Sequence, residues 1–297
     1  MAWRGLHLTQ PSRLTLADGQ IVVEQDDDEV RLPIEDIAWI VLDSPRATLT
    51  SSLLSACMSA GVAVVVTDET HTPCGIALPF HNHFRQPDVA CRQVAMGTPF
   101  KKRLWQAIVR RKIANQADVL AMLGCDGADM IRAMSQHVGS GDPGNVEARA
   151  ARRYWSRLWP EFRRGDSDDR RNKLLNYGYA VARAGVARSL VASGLLPAFG
   201  LSHRSVTNAF NLADDIVEPF RPFVDALAWR TADNGKPSRA DLAVVDRQVM
   251  VGVLLVEAWI GTDSVTLLTA ADRAATSLVR AIEAKLPDVL ELPALNP

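Results

Sequence analysis

An α+β fold is predicted for this chain, with a β-rich N-terminal domain followed by a larger all-α domain. Over roughly the first 80 residues, apolar and polar positions alternate in short runs broken by turn signals. From about Cys91 onward, apolar residues recur at helical spacing instead. Between the two patterns, His71 to Asp88 carries prolines at 73, 79 and 87, the composition of a connecting segment with some extended structure. The resulting boundaries are residues 1–80 for the β-rich part, 81–90 for a linker and 91–297 for the helical part.

Taken in order, Arg13–Ala17, Gln20–Gln25, Glu29–Pro33 and Ala38–Leu42 read as strands. Asp18-Gly19 between the first two is a hairpin signal. Thr50 to Ser59 reads as a short helix and Val62–Thr67 as a buried strand. In the second part, Phe100–Leu123 is a long amphipathic helix with Leu104, Ile108, Val119 and Leu123 among its apolar positions. Helices over Ala128–His137, Asn145–Leu158, Asn172–Ser193, Phe210–Trp229, Ser238–Leu255 and Thr269–Leu286 follow. Gly139-Ser-Gly-Asp-Pro-Gly144 is not followed by Gly-Lys-Ser/Thr, so it is not a phosphate-cradling loop. It reads as a turn that delivers Asn145-Val-Glu147 to a helix start.

The 297 residues are 47% apolar and 23% charged, as in an ordinary soluble globular protein. A net charge of −1 conceals local patches. Asp26-Asp27-Asp28-Glu29 is acidic, while Lys101-Lys102-Arg103, Arg110-Arg111-Lys112, Arg149-Ala-Ala-Arg152-Arg153 and Arg163-Arg164 are basic. Local patches, not the total, decide whether a polyanion binds. The four cysteines, at 57, 74, 91 and 125, form no C-x-x-C pair, which argues against zinc ribbons and thioredoxin-like chemistry. Met-Ala-Trp-Arg-Gly-Leu-His at the start lacks the apolar core of a signal peptide, and Gly61 to Thr67 is too short to span a bilayer. A cytoplasmic protein without a membrane partner is expected.

His203 to Pro222 is the most informative stretch. It sets His203 ahead of Asp214, Asp215 and Glu218, with Arg204 and Arg221 close by. On a helix, Glu218 shares a face with either aspartate. Carboxylates this close repel unless a cation, an arginine or a proton compensates. Imidazole nitrogen with carboxylate oxygens suits magnesium or manganese; the plain alternative is a solvated acidic helix face. Glu147 stands in a first helical turn, where the helix dipole alone would favour it. Arg149, Arg152 and Arg153 follow it as candidate phosphate contacts. Asn172, Asn176 and Tyr179 form a polar stripe suited to an inter-helix hydrogen-bond network or to a DNA backbone. His81-Asn82-His83 fits a linker or subunit contact better than a metal site, and His7, His71 and His137 read as structural or exposed.

Three ordered motifs carry a resemblance across essentially the whole chain. They are Asn145-Val-Glu147-x-x-Ala150-Ala151-x-x-Tyr154-Trp155, Asn172-x-x-Leu-Asn-Tyr-Gly-Tyr179, and His203 with Asn208-x-Phe-Asn-Leu-Ala-Asp-Asp-x-x-Glu-Pro-Phe-Arg-Pro-x-Val-Asp225. The chain resembles the CRISPR-associated adaptation integrase family, and most resembles its type II members. The resemblance implies Glu147, His203 and Glu218 as catalytic ligands of Mg2+ or Mn2+, with Asp214 and Asp215 as acidic neighbours. Ser202 stands where many relatives have another histidine. Arg149, Arg152, Arg153, Asn172, Asn176, Arg204 and Arg221 are the expected nucleic-acid contacts. The implied reaction inserts short foreign DNA as new spacers, by 3′-hydroxyl attack at a CRISPR repeat boundary. The implied partners are the prespacer and repeat DNA, a second copy of the chain, a small ferredoxin-like adaptation subunit that completes a heterohexamer, and the type II effector nuclease. The N-terminal domain is expected to serve dimerisation and partner contacts. A catalytically silent DNA-binding scaffold is the alternative, whereas an HD-type phosphohydrolase is excluded because no His-Asp pair occurs. The three ligands are expected to converge. Removing Glu218 is expected to relieve repulsion with Asp214 and Asp215 and to raise stability.

Overall fold

Alternation in the first part produces strands. In the computed structural model, which describes residues 2–26, 28–80 and 83–295, β1 (Arg4–Leu8), β2 (Arg13–Ala17), β3 (Gln20–Gln25), β4 (Asp28–Pro33), β5 (Ile37–Leu42) and β6 (Thr48–Leu49) come first. Then follow α1 (Ser51–Ala60), β7 (Ala63–Thr67) and β8 (Pro73–Ala77). Asp27 of the acidic run and His81 and Asn82 of the triplet lie outside the described residues. Asp18 and Gly19 take φ of 49° and 73°, the doubly left-handed turn that matches strand twist, and Ala17 pairs with Gln20 across it.

The strands form two four-stranded sheets, ordered β4-β3-β2-β6 and β1-β5-β7-β8. In the second sheet β1, β5 and β7 run parallel and β8 returns antiparallel. Parallel strands are covered on both faces, which is why β5 reads as the unbroken apolar run IAWIVL. Ile37 and Ile40 pack with Leu14, Ile21, Leu53 and Cys57 between the sheets, whereas Trp39 and Val41 point into the core shared with the helices. The β-rich and helical parts are therefore joined through a common core.

Helical spacing in the second part gives α2 (Gln86–Val94), α3 (Thr98–Met122), α4 (Ala128–Gln136), α5 (Val146–Leu158), α6 (Arg170–Ala192), α7 (Asn211–Ile216), α8 (Arg221–Thr231) and α9 (Val244–Val251). The strands β9 (Glu257–Ile260) and β10 (Asp263–Thr266) and the helix α10 (Leu267–Ala284) complete the chain. α3 and α6 are buried on most sides and form the centre. Gly178 on α6 is required there, since a Cβ would lie 2.5 Å from Val224 and from Met250. Among the described residues no helix is long and apolar enough to cross a membrane.

Four expectations need correction. Residues 210–229 are not one helix: α7 ends at Ile216, Glu218–Phe220 forms a 3-10 turn, and α8 restarts at Arg221. Pro219 is the cause, because it has no N–H and its ring clashes with the preceding turn. Helix within 238–255 is confined to Val244–Val251, with a 3-10 turn over Gly252–Leu255. The antiparallel β9–β10 hairpin was not expected in the helical part. The extended structure expected after His71 is β8, which joins the sheet, but α2 starts inside the expected linker.

Asp43, just beyond β5 and fully buried, pins the two parts together. Its carboxylate meets His7 Nε2 at 2.9 Å, His71 Nδ1 at 2.9 Å and Arg247 Nε at 2.7 Å. His7 and His71 are thus structural, as expected. Asp43→Ala would leave a buried guanidinium unpaired, and we expect a loss of about 3–5 kcal/mol in urea unfolding. A loss below about 1 kcal/mol would mean that apolar packing alone holds the junction. Burial alone would raise the Asp43 carboxyl, but hydrogen bonds from His7, Arg247 and His71 hold it below the usual carboxylate range. The stabilisation is therefore complete above about pH 4 and is lost as pH falls through the lower folded value.

Candidate metal centre

The glycine-rich loop acts as the expected turn into α5. Gly141, Asp142 and Asn145 take φ of 77°, 50° and 47°. The Asp142 carboxylate then accepts from the N–H groups of Val146 and Glu147, both at 2.9 Å. This satisfies two donors that the helix start would otherwise leave free. Glu147 is thereby fixed in the first turn of α5.

Glu218 reaches the same place from the 3-10 turn and is almost completely buried. Between the two carboxylates lies Lys112 of α3, with Nζ 2.6 Å from Glu147 Oε1 and 2.5 Å from Glu218 Oε2. Arg221 Nε is 3.0 Å from the other Glu218 oxygen, Oε1. Burial would push the Glu218 carboxyl up, but Lys112 and Arg221 hold it below its ordinary value. Burial would likewise lower the Lys112 amine, and Glu218 and Glu147 outweigh that effect, so it stays charged.

His203 sits in the segment between α6 and α7. Its Nδ1 is 2.7 Å from Asp215 Oδ1, and its ring meets Trp105 of α3 edge-on at 5.9 Å between centroids. Asp215 is fully buried and also accepts from the backbone N–H groups of Leu201, Ser202 and His203 at 2.5, 3.0 and 3.1 Å. That hydrogen bond raises the His203 pKa above its ordinary value. It also commits Nδ1 to the protein and leaves Nε2 as the nitrogen open to a ligand, the usual arrangement of a metal-binding histidine. Asp214 lines the same cleft as His203 and is paired with Arg183 Nε at 2.6 Å and Asn208 Nδ2 at 2.6 Å.

The expected convergence is only partly met. Glu147 and Glu218 come together, with Lys112 between them and His203 on the same flank of α3. Among the described residues, however, no three His, Cys, Asp or Glu side chains are arranged to hold a metal ion. The carboxylates do not repel apart, because a lysine fills the place of the compensating cation.

Arg149, Arg152, Arg153 and Arg204 are exposed, as DNA contacts must be. Asn172 is a correction. It is 1% exposed, donates to the carbonyls of Arg163 and Asp166 and accepts from Arg164, so it ties down the loop before α6. Asn176 also accepts from Arg164, at 2.7 Å. Arg221 is engaged by Glu218 and lies over the Tyr179 ring. Lys112 also leaves the basic cluster it was counted in.

Two buried charged residues beside the candidate site were quoted in the sequence but given no place in the site. Lys112 follows Leu104 and Ile108 at helical spacing on the buried face, and that position was the available signal. Asp225 is buried between the hydroxyls of Tyr154 and Tyr179, which donate to it. Burial pushes its carboxyl up to about 7 despite those donors and Arg221.

Residues 6–258 match the family model for CRISPR associated protein Cas1. The CRISPR-associated endonuclease Cas1 of Neisseria meningitidis serogroup C (strain 8013) is 38% identical over 299 residues, covering 100% of this chain and 98% of that protein. A casposase bound to integration product superposes with a TM-score of 0.76 at 17% identity, over 95% of this chain and 91% of the other. A Cas6-RT-Cas1–Cas2 complex gives 0.75 at 17% identity, over 99% of this chain and 36% of that longer one. Likeness at such identity speaks to the fold, and it agrees with a β-rich front and a helical back.

The expectation that losing Glu218 raises stability fails on this geometry. Glu218→Ala would leave Lys112 buried with Glu147 alone opposing its charge. We expect metal-free stability to fall by about 3 kcal/mol or more in urea unfolding. His203→Ala should lose less than Glu218→Ala, because three backbone N–H groups still serve the buried Asp215 carboxylate. An unchanged or raised midpoint for Glu218→Ala would restore the repulsion view.

Proposed function

The chain belongs to the Cas1 family of CRISPR-associated proteins, and from that premise we propose that it is a metal-dependent DNA endonuclease and integrase. In this reading it inserts short foreign DNA fragments as new spacers into a CRISPR array. The 3′-oxygen of the incoming strand forms a new P–O bond at the repeat boundary, the existing P–O bond breaks, and the proton of the 3′-hydroxyl leaves to solvent or a base. Hydrolysis is the same displacement with water as nucleophile.

The observation that carries the reading is the cation-holding place between Glu147 and Glu218, with His203 oriented beside it by Asp215. Two carboxylate groups and an imidazole Nε2 fit Mg2+ or Mn2+. Held by Glu147, His203 and Glu218, such an ion would polarise the phosphodiester and support the leaving oxygen. Asp215 fixes which imidazole nitrogen faces outward. Tyr154, Asp225 and Tyr179 brace α5, which carries Glu147, α8, which follows Glu218, and α6. Arg149, Arg152 and Arg153 lie on the helix whose first turn holds Glu147 and Arg204 follows His203, so phosphates drawn to them come near the reacting centre.

The partners in this reading are prespacer and repeat DNA, a second copy of the chain, and a small ferredoxin-like adaptation subunit that completes a heterohexamer; the type II effector nuclease is a further partner. Likeness to a complex containing Cas1 and Cas2 is consistent with the adaptation subunit. The scaffold alternative has one observation in its favour, the lysine that already closes the ion's place.

The test is integration of a labelled duplex with 3′-hydroxyl ends into a supercoiled plasmid carrying a leader and repeat, with Mg2+ or Mn2+ and the small subunit. Wild type should integrate, and His203→Ala and Glu218→Ala should lose at least about 100-fold while still shifting DNA in a gel. Integration by both variants at the wild-type rate would put the centre elsewhere. A wild type that binds DNA but never integrates would leave the scaffold reading standing. Binding should also weaken about 1,000-fold between 50 and 200 mM salt if some six phosphates are neutralised.

A further inference from the structure

We propose that Lys112 is a built-in placeholder, an ammonium that occupies the divalent-ion position and must leave before the ion can bind. The inference rests on the reading of Glu147, His203 and Glu218 as metal ligands. A lysine at this point of α3 is not there for solvent. It continues the buried line of Leu104 and Ile108, is 9% exposed, and makes charged contacts at 2.6 and 2.5 Å to both carboxylates. An isolated buried ammonium is strongly disfavoured, so these contacts are what keep it inside.

Charge counting says why it cannot stay when metal arrives. Lys112 and Arg221 together neutralise Glu147 and Glu218, and Arg183 neutralises Asp214. To ligate through Nε2, His203 must be neutral, so Asp215 contributes one negative charge. A divalent ion added on top would leave one uncompensated positive charge and set two cations against the same carboxylates. With Lys112 gone, the local charges balance. The departure needs no movement of α3, because the ammonium sits on a flexible four-carbon stem. The arrangement thus keeps two carboxylates together without metal, and lowers metal affinity by the free energy of breaking the lysine contacts.

The experiment measures Mn2+ binding to the full-length protein by calorimetry, with no DNA and no turnover. Lys112→Met should bind Mn2+ at least about tenfold more tightly than wild type, should melt at a lower temperature in chelator, and should recover on adding Mn2+. A merely structural lysine would change the melting temperature without tightening the metal. Because that variant can fail to fold without metal, a second measurement uses wild type alone. Acylation of Lys112 by an N-hydroxysuccinimide ester is read by peptide mass spectrometry against exposed Lys236. Labelling should be low in chelator and rise several-fold with Mn2+. If wild type binds Mn2+ but Lys112 stays protected and Lys112→Met binds no more tightly, the placeholder is wrong and the metal centre survives. If neither protein binds Mn2+, the metal reading falls and the placeholder falls with it.

Discussion

Two carboxylates buried side by side repel unless a cation lies between them, and Lys112 supplies that cation to Glu147 and Glu218. The contact gathers α3, the first turn of α5 and the turn ahead of α8, three segments that the chain itself keeps far apart. Each segment has its own local reason for its path. Asp142 caps α5, Pro219 breaks the helix at Glu218, and the apolar neighbours of Lys112 hold α3 in the core. The shared charge, together with the Asn115 amide that donates to the Pro219 carbonyl at 2.8 Å, ties the three paths at one point.

Other buried acids steady this arrangement from outside. Asp215 collects three backbone donors and the imidazole of His203, so that a loop with no regular structure presents one defined nitrogen. Asp225 collects the hydroxyls of Tyr154 and Tyr179, and so locks α5 and α6 against α8. An aspartate in a nominal acidic patch can thus be spent entirely on architecture. Asp214, Asp215 and Glu218 look alike in sequence, yet they hold an arginine, a loop and a lysine respectively.

Most of the fold was legible because it follows from periodicity. Strands β2 to β5, helix α1 and the long helices fall where alternation or helical spacing places them, within a residue or two at their ends. β8 was legible only as some extended structure after His71, and the β9–β10 hairpin was hidden by its shortness. The break at Pro219 was visible as a residue, but apolar spacing continued through it and outvoted it. In the site, Glu147, His203 and Glu218 were legible through ordered motifs, but their charge partners were not. A lysine within Arg110-Arg111-Lys112 looks like solvent-facing charge until its helical phase is compared with that of Ile108. Asn172 looked available to DNA because its stripe is polar, whereas its amide closes a neighbouring loop.

The bond between Asp43 and Arg247 joins residues 204 positions apart, which has a consequence for the order of events on the ribosome. The face of β5 and β7 that packs against α1 and the other sheet can close as soon as the first 80 or so residues emerge. The opposite face, with Trp39, Val41, Ala63 and Val65, must wait for helices made much later. Until α9 appears, Asp43 has its histidines but not its arginine. The nascent N-terminal part is therefore half finished and apolar on one side for most of translation, the interval in which holding chaperones are most needed.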